Sequence, residues 1–246
     1  MSTAIEWTDE TWNPITGCAK VSAGCKNCYA EGIAKRFWGD RDFGDVRMHE
    51  DRLDRPARWR RPRMVFVNSM SDLFHKSVSD QQIASVFAVM AANRRHTFQV
   101  LTKRAGRMSD WVREYFENHS DANMPRNIWL GVSVEDQDQY ARVRALIRTP
   151  ASVRFLSYEP ALGSLTVGFK HLMGHNAIGW VIAGCESGPG RRPAENNWFR
   201  ALRDQCVAAG VPFFLKQMDI GGKVVKLPPL DGCQWAEMPK RGNYDV

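Results

Sequence analysis

Short apolar runs alternate along the chain with stretches of helical period. "MVFVNSM" (Met64–Met70), "TFQVLTK" (Thr97–Lys103), "NIWLGVSVE" (Asn127–Glu135), "SVRFLSYEP" (Ser152–Pro160), "IGWVIAGCESG" (Ile178–Gly188) and "VPFFLKQ" (Val211–Gln217) read as six strands, and Thr11–Ile15 as a first extended segment. They are apolar almost throughout, as strands covered on both faces are. Between them, Ile83, Val86, Phe87 and Met90 recur at helical spacing behind Ser79, an N-cap residue. "RMSDWVREYFENH", "DQYARVRALIRT" and "NNWFRALRDQCVAAG" read as further helices, the last closed by Gly210. Strands alternating with helices predict an α/β fold with a parallel sheet, here a partial (β/α)6-type TIM barrel. The expected organisation is one domain over residues 1–246, carrying an arginine-rich insertion at 39–63. A C-terminal extension at 220–246 reads as a short hairpin or irregular cap.

Polar residues gather where each strand ends. They are Asn68, Ser69 and Asp72; Thr102 and Lys103; Ser133 and Glu135; Tyr158 and Glu159; Cys185, Glu186 and Ser187; Lys216 and Gln217. In a parallel barrel the loops after the strands converge on one mouth, so these clusters are expected to face a common cavity.

Six cysteines are present, and Cys18, Cys25 and Cys28 lie together in "NPITGCAKVSAGCKNCYA" with spacing Cys-x6-Cys-x2-Cys. Such a cluster outside a small disulfide scaffold points to metal or redox chemistry. Gly17 and Gly24 allow the loop to fold back on itself. Soft thiolates suit iron–sulfur clusters or zinc. A structural zinc site normally has four protein ligands, and here the fourth would come from afar, from Cys185 or Cys233. Three local ligands and one open position suit a cluster.

The net charge of +7 admits a polyanionic partner. The run "DRLDRPARWRRPRM" sets Arg52, Arg55, Arg58, Arg60, Arg61 and Arg63 around Trp59, which is either a phosphate-and-stacking surface or a solvated helix followed by a loop. "GCESGPGRRP" is either a phosphate site using Arg191 and Arg192 or an ordinary loop. Glu159, held before Pro160, either faces substrate or pairs with an arginine such as Arg154. Hydrophobic content of 43% and charged content of 25% are those of a globular chain. No apolar run is long enough to span a membrane, and the N-terminus has no signal-peptide pattern, so a cytoplasmic location is expected.

The cysteine loop resembles that of spore photoproduct lyase and its radical S-adenosylmethionine (SAM) relatives. Over residues 11–217 the chain is similar to a phage- and bacterium-associated family of three-cysteine proteins of unassigned function. The likeness rests on "TWNPITGC", "GCKNCYA", "SMSDLFH", "LTKR", "WLGVSVE", "RFLSYEPALG", "GCESGPGRRP" and "FFLKQ". The usual radical SAM spacing is Cys-x3-Cys-x2-Cys, and this loop is three residues longer. The resemblance implies a 4Fe–4S cluster on Cys18, Cys25 and Cys28 that cleaves SAM to a 5′-deoxyadenosyl radical, with an electron donor such as flavodoxin or ferredoxin. It places Tyr29 beside the cluster or adenine, and Asn68, Ser69 and Asp72 at the SAM amino group. Lys103 falls at the SAM carboxylate, and Ser133 and Glu135 at the ribose. The substrate side is left to Glu159, Glu186, Arg191, Arg192, Lys216 and Gln217, with Cys185 a candidate hydrogen-atom donor. The expected function is radical modification or repair of a nucleic acid or nucleotide. The alternative is a zinc-stabilised nucleic-acid-binding protein.

Overall fold

The computed structural model describes residues 3–118, 124–174, 177–188 and 190–240. Pro189 of the glycine loop, His119 at the end of the second helical run and the last six residues of the 220–246 tail lie outside them. Eight strands form one sheet in the order of the chain: β1 (Glu10–Trp12), β2 (Met64–Val67), β3 (Thr97–Thr102), β4 (Ile128–Ser133), β5 (Val153–Tyr158), β6 (Trp180–Gly184), β7 (Phe213–Ile220) and β8 (Lys223–Lys226). The first seven pair in parallel, and β8 returns antiparallel on β7. The sheet curls into a half-barrel. Between the parallel strands lie α1 (Tyr29–Phe37), α2 (Asp80–Ala92), α3 (Ala105–Asn118), α4 (Ala141–Arg148), the single turn α5 (Phe169–Leu172) and α6 (Asn196–Ala209).

The local signals explain several boundaries. Ser79 and Gln82 form a reciprocal capping box at the start of α2. Gly210 ends α6 at φ +66°. The first extended segment divides. Glu10–Trp12 joins the sheet, whereas Ile15–Thr16 pairs antiparallel with Arg47–Met48. The arginine-rich insertion forms short 3-10 turns at Glu50–Arg52 and Arg55–Arg58 rather than a helix.

The continuous apolar appearance of the strands conceals a period of two. Leu130 and Val132 face outward, into the large core shared with Ile83, Phe87 and Val112 of the helices. Trp129 faces inward with Trp7, Phe66, Phe155, Trp180 and Phe214. These aromatics fill the interior toward the strand N-termini. Trp129 and Trp180 meet edge to face at 6.1 Å, a geometry worth about 1 kcal/mol beyond burial. Toward the strand C-termini the inward positions become small or polar. Gly131 is required there, because a Cβ would lie 2.4 Å from the Phe155 ring.

The N-terminal segment links the two edges of the sheet. Asp9 N donates to the Met64 carbonyl at 3.0 Å and Gln99 Nε2 to that of Trp7 at 3.2 Å. Lys226 Nζ, on the opposite edge strand, reaches the Ala4 carbonyl at 2.8 Å and Glu6 at 2.5 Å. Among the described residues no helix is long and apolar enough to cross a membrane.

Candidate functional site

The loop between β1 and α1 carries the three thiols across the C-terminal ends of the strands. Gly17, at φ +95°, lies so close to the Asp45 carbonyl that a Cβ would sit 2.3 Å from its oxygen. Cys18 N donates to Phe43 O at 2.8 Å. The loop is then held at three points. Arg104 Nη2 donates to Ala19 O at 2.9 Å, and its Nη1 lies 3.6 Å from the Cys18 sulfur. Ser22 Oγ donates to Glu135 Oε1 at 2.7 Å. Arg192 Nη2 donates to Ala23 O at 2.9 Å, while Asn27 Nδ2 donates to Glu186 Oε2 at the same distance. Cys28 is the N-cap of α1.

Each anchor belongs to an ion pair at or just beyond a strand end. Asp72 accepts from Arg104 Nη1 at 2.9 Å, from Thr102 Oγ1 at 2.7 Å and from the Lys103 amide at 3.2 Å. Glu135 joins Lys103 at 2.6 Å and Arg142 at 2.8 Å. Glu186 pairs with Arg192. Burial opposes the charged form of Glu135, but Lys103 and Arg142 outweigh it and hold its pKa below the ordinary carboxylate range. Glu186 is likewise lowered, burial being overcome by hydrogen bonds from Arg192 and Asn27. Burial, then Asp72, raises the Cys18 thiol against the opposing pull of Arg104.

Beneath the loop lies a cavity of about 620 Å³. Ten of the residues expected at the site line it: Cys28, Tyr29, Ser69, Lys103, Ser133, Glu159, Cys185, Glu186, Lys216 and Gln217. The Tyr29 hydroxyl donates to Ser69 O at 2.7 Å. Glu159 meets Lys216 at 2.9 Å, an ion-pair distance without hydrogen-bond geometry, so Glu159 Oε1 is buried without a hydrogen bond. The Arg154 alternative fails, because that side chain sits near the other end of β5 and donates to Thr149 O at 2.8 Å. Gln217 Nε2 donates to Cys185 O at 2.7 Å. Burial, with help from Asp219 and Glu159, pushes the Cys185 thiol up to about 11.

The other expected residues lie off the cavity. Cys18 and Cys25 sit on the outer part of the loop, near enough for their charges to interact. Asn68, at φ 60°, is buried and accepts from the Ile15 amide at 3.2 Å, so its side chain shapes the β1 crossover. Asp72 and Glu135 are committed to the anchoring pairs. Arg191 and Arg192, the candidate phosphate ligands of the glycine loop, lie off the cavity as well. Arg191 binds Asp219 at 2.5 Å and the Gly222 carbonyl, and Arg192 pairs with Glu186 and donates to the Ala23 carbonyl of the thiol loop. Sequence reading missed Ser22, Asn27, Arg104 and Arg142. Only Arg104 had a visible signal, its place after Lys103 in "LTKR".

Among the described residues no three His, Cys, Asp or Glu side chains are already gathered as a metal site. The donor chemistry nevertheless fits a thiolate-ligated centre. Three free thiols share one short loop, partly exposed, beside a guanidinium, and a soft metal displaces thiol protons on binding. Of the two distant candidates for a fourth zinc ligand, Cys185 is buried and lines the cavity together with Cys28. Cys233 is exposed on a short pair whose flank, Trp235, hydrogen-bonds Leu215 near the start of β7, away from the loop.

An α/β half-barrel with a thiol loop over its cavity thus defines the class of protein. The chain belongs to the family described as "Protein of unknown function (DUF5131)", whose model matches residues 2–239. No curated protein and no solved structure matches it.

Proposed function

We propose that the chain is a radical SAM enzyme on a partial TIM-type barrel, acting on a nucleic acid or nucleotide. One observation carries this reading: a three-thiol loop leaves the first parallel strand and covers a cavity lined by polar side chains from the ends of the later strands. Cys18, Cys25 and Cys28 would hold a 4Fe–4S cluster. Such a cluster supplies one-electron reductive cleavage of SAM, with reduction by a donor such as flavodoxin or ferredoxin.

The chain's own residues position and enclose. Arg104, Glu135 and Arg192 fix the thiol loop relative to the cavity. Lys103 and Ser133 offer a cation and a hydroxyl on the wall below it, matching the polar ends of SAM, and Ser69 and Tyr29 close the α1 side. Asp72 acts through Thr102, Lys103 and Arg104, which it orients. The aromatic floor excludes water from the interior. Glu159 and Lys216 are left as the charged groups that meet substrate. The test is anaerobic reconstitution with iron and sulfide. About four of each per chain and a reducible, EPR-active brown protein are expected, lost together in Cys28→Ala. A colourless protein with one tightly held zinc would overturn the reading.

A further inference from the structure

The opposite end of the sheet carries a feature that the cavity chemistry does not use. Arg60 and Arg61 precede β2, Arg94 and Arg95 precede β3, and Arg126 precedes β4. These are three neighbouring strands about 4.8 Å apart, so five exposed guanidiniums gather at one end of the half-barrel. The turns that bear them are tied together. Thr97 N donates to Arg63 O at 2.9 Å and Phe98 N to Asn127 O at 2.7 Å. The His96 ring bonds Pro56 O at 3.0 Å and meets Trp59 edge-on at 5.5 Å. Among the described residues the acids at this end are few and mostly engaged. Asp54 pairs with Arg58, Glu10 is buried against Arg63, Asp9 accepts the Met64 amide, and Glu117 stands near the end of α3. Among the described residues none of the five arginines has a carboxylate partner.

We infer that this end of the half-barrel is a docking surface for the phosphate backbone of nucleic acid, separate from the cavity. Every cation of the five is arginine, whose planar fork matches phosphate oxygens. Among the described residues, the large apolar side chains that are exposed elsewhere, such as Phe37, Phe169 and Val207, are absent from this face, which argues against insertion into a lipid surface. Trp59 is half-buried against the core and under Arg55 and Arg63, so it props the face rather than stacking on bases. Recognition is therefore by charge, without base preference, and favours a duplex for its higher charge density. Strands of four to six residues put this face roughly 15–20 Å from the cavity mouth, so it anchors the protein rather than presenting the reacting group. The inference is independent of the cavity chemistry.

Fluorescence anisotropy of a labelled 20-base-pair duplex, and of one of its strands, tests it on the full chain across 50–200 mM salt. The Arg60→Glu/Arg61→Glu/Arg94→Glu variant should lose about tenfold or more in affinity, and its log–log salt slope should become shallower by about 2 to 3. Lys20→Glu/Lys35→Glu, on the thiol-loop side, should bind as the parent does. Should the triple variant not fold, Arg61→Glu alone should weaken binding and reduce the slope by about one. Iron content and SAM cleavage should not change in the arginine variants, which separates this result from the cavity reading. The inference is overturned if the parent chain does not bind, if the arginine variants bind equally well, or if only the lysine variant loses binding. Binding to phosphatidylserine vesicles but not to the duplex would overturn it as well.

Discussion

Replacing Glu135 by glutamine probes the anchoring of the thiol loop at its centre. The carboxylate is essentially fully buried, with Lys103 at 2.6 Å, Arg142 at 2.8 Å and Ser22 at 2.7 Å. An amide keeps the shape but removes the charge. It also turns one NH2 group toward either Arg142 or the Lys103–Ser22 side, so a donor faces a donor whichever way the amide lies. Removing one partner of a buried ion pair costs about 3–5 kcal/mol, because the remaining charge is left uncompensated. In a chain of this size that corresponds to a fall in Tm on the order of 10 °C. The folded-state pKa of Glu135 lies below its ordinary value of 4.5, so its stabilisation is complete above that value and fades as pH falls through the folded-state value. Thermal unfolding followed by circular dichroism should therefore show a large gap between parent and Glu135→Gln at pH 7.5. The gap should close on acidification below about 4.5. Loss of the Ser22 anchor should also speed alkylation of Cys25. A Tm within about 2 °C of the parent at pH 7.5, with unchanged Cys25 labelling, would show that the Glu135 carboxylate does not anchor the loop.

Three further outcomes follow from the same geometry. Gly24→Ala puts a Cβ 2.3 Å from Glu135 Oε1, which its ion pairs hold in place, and should cost about 1–3 kcal/mol in denaturant unfolding together with weaker iron uptake. Gly17→Ala meets a backbone carbonyl at 2.3 Å and an unfavourable φ of +95°, so calorimetry should show a loss of about 2 kcal/mol or more. At pH 8, iodoacetamide labelling read by mass spectrometry should modify exposed Cys233 first. It should spare Cys185 and Cys206, whose thiols burial raises to about 11 and about 12; rapid labelling of Cys185 would contradict its burial.

The strands, their order and the gathering of polar residues at one end were legible because period and turn chemistry are local properties. The capping box at Ser79 and the stop at Gly210 were visible for the same reason. What the sequence hid was pairing across the fold. Arg192 reads as a free phosphate ligand until Glu186 and the Ala23 carbonyl are brought against it. Glu159 could have met any arginine, and meets Lys216 because β5 and β7 flank β6. Inward and outward positions were indistinguishable in strands covered on both faces, so the floor of Trp129, Trp180 and Phe214 emerged only with the curvature of the sheet. Trp7 was not read as core at all, because the segment before β1 has neither helical nor strand period. It is buried against Phe66 of β2 and Trp180 of β6, which are distant in sequence.

The function proposed for the thiol loop and cavity is reductive SAM cleavage. Its most direct test is anaerobic incubation of the iron- and sulfide-reconstituted chain with SAM and dithionite, with chromatography for nucleoside products. 5′-Deoxyadenosine and methionine are expected in equal amounts, abolished in each of Cys18→Ala, Cys25→Ala and Cys28→Ala. Intact SAM beside a fully loaded, reduced cluster would contradict it.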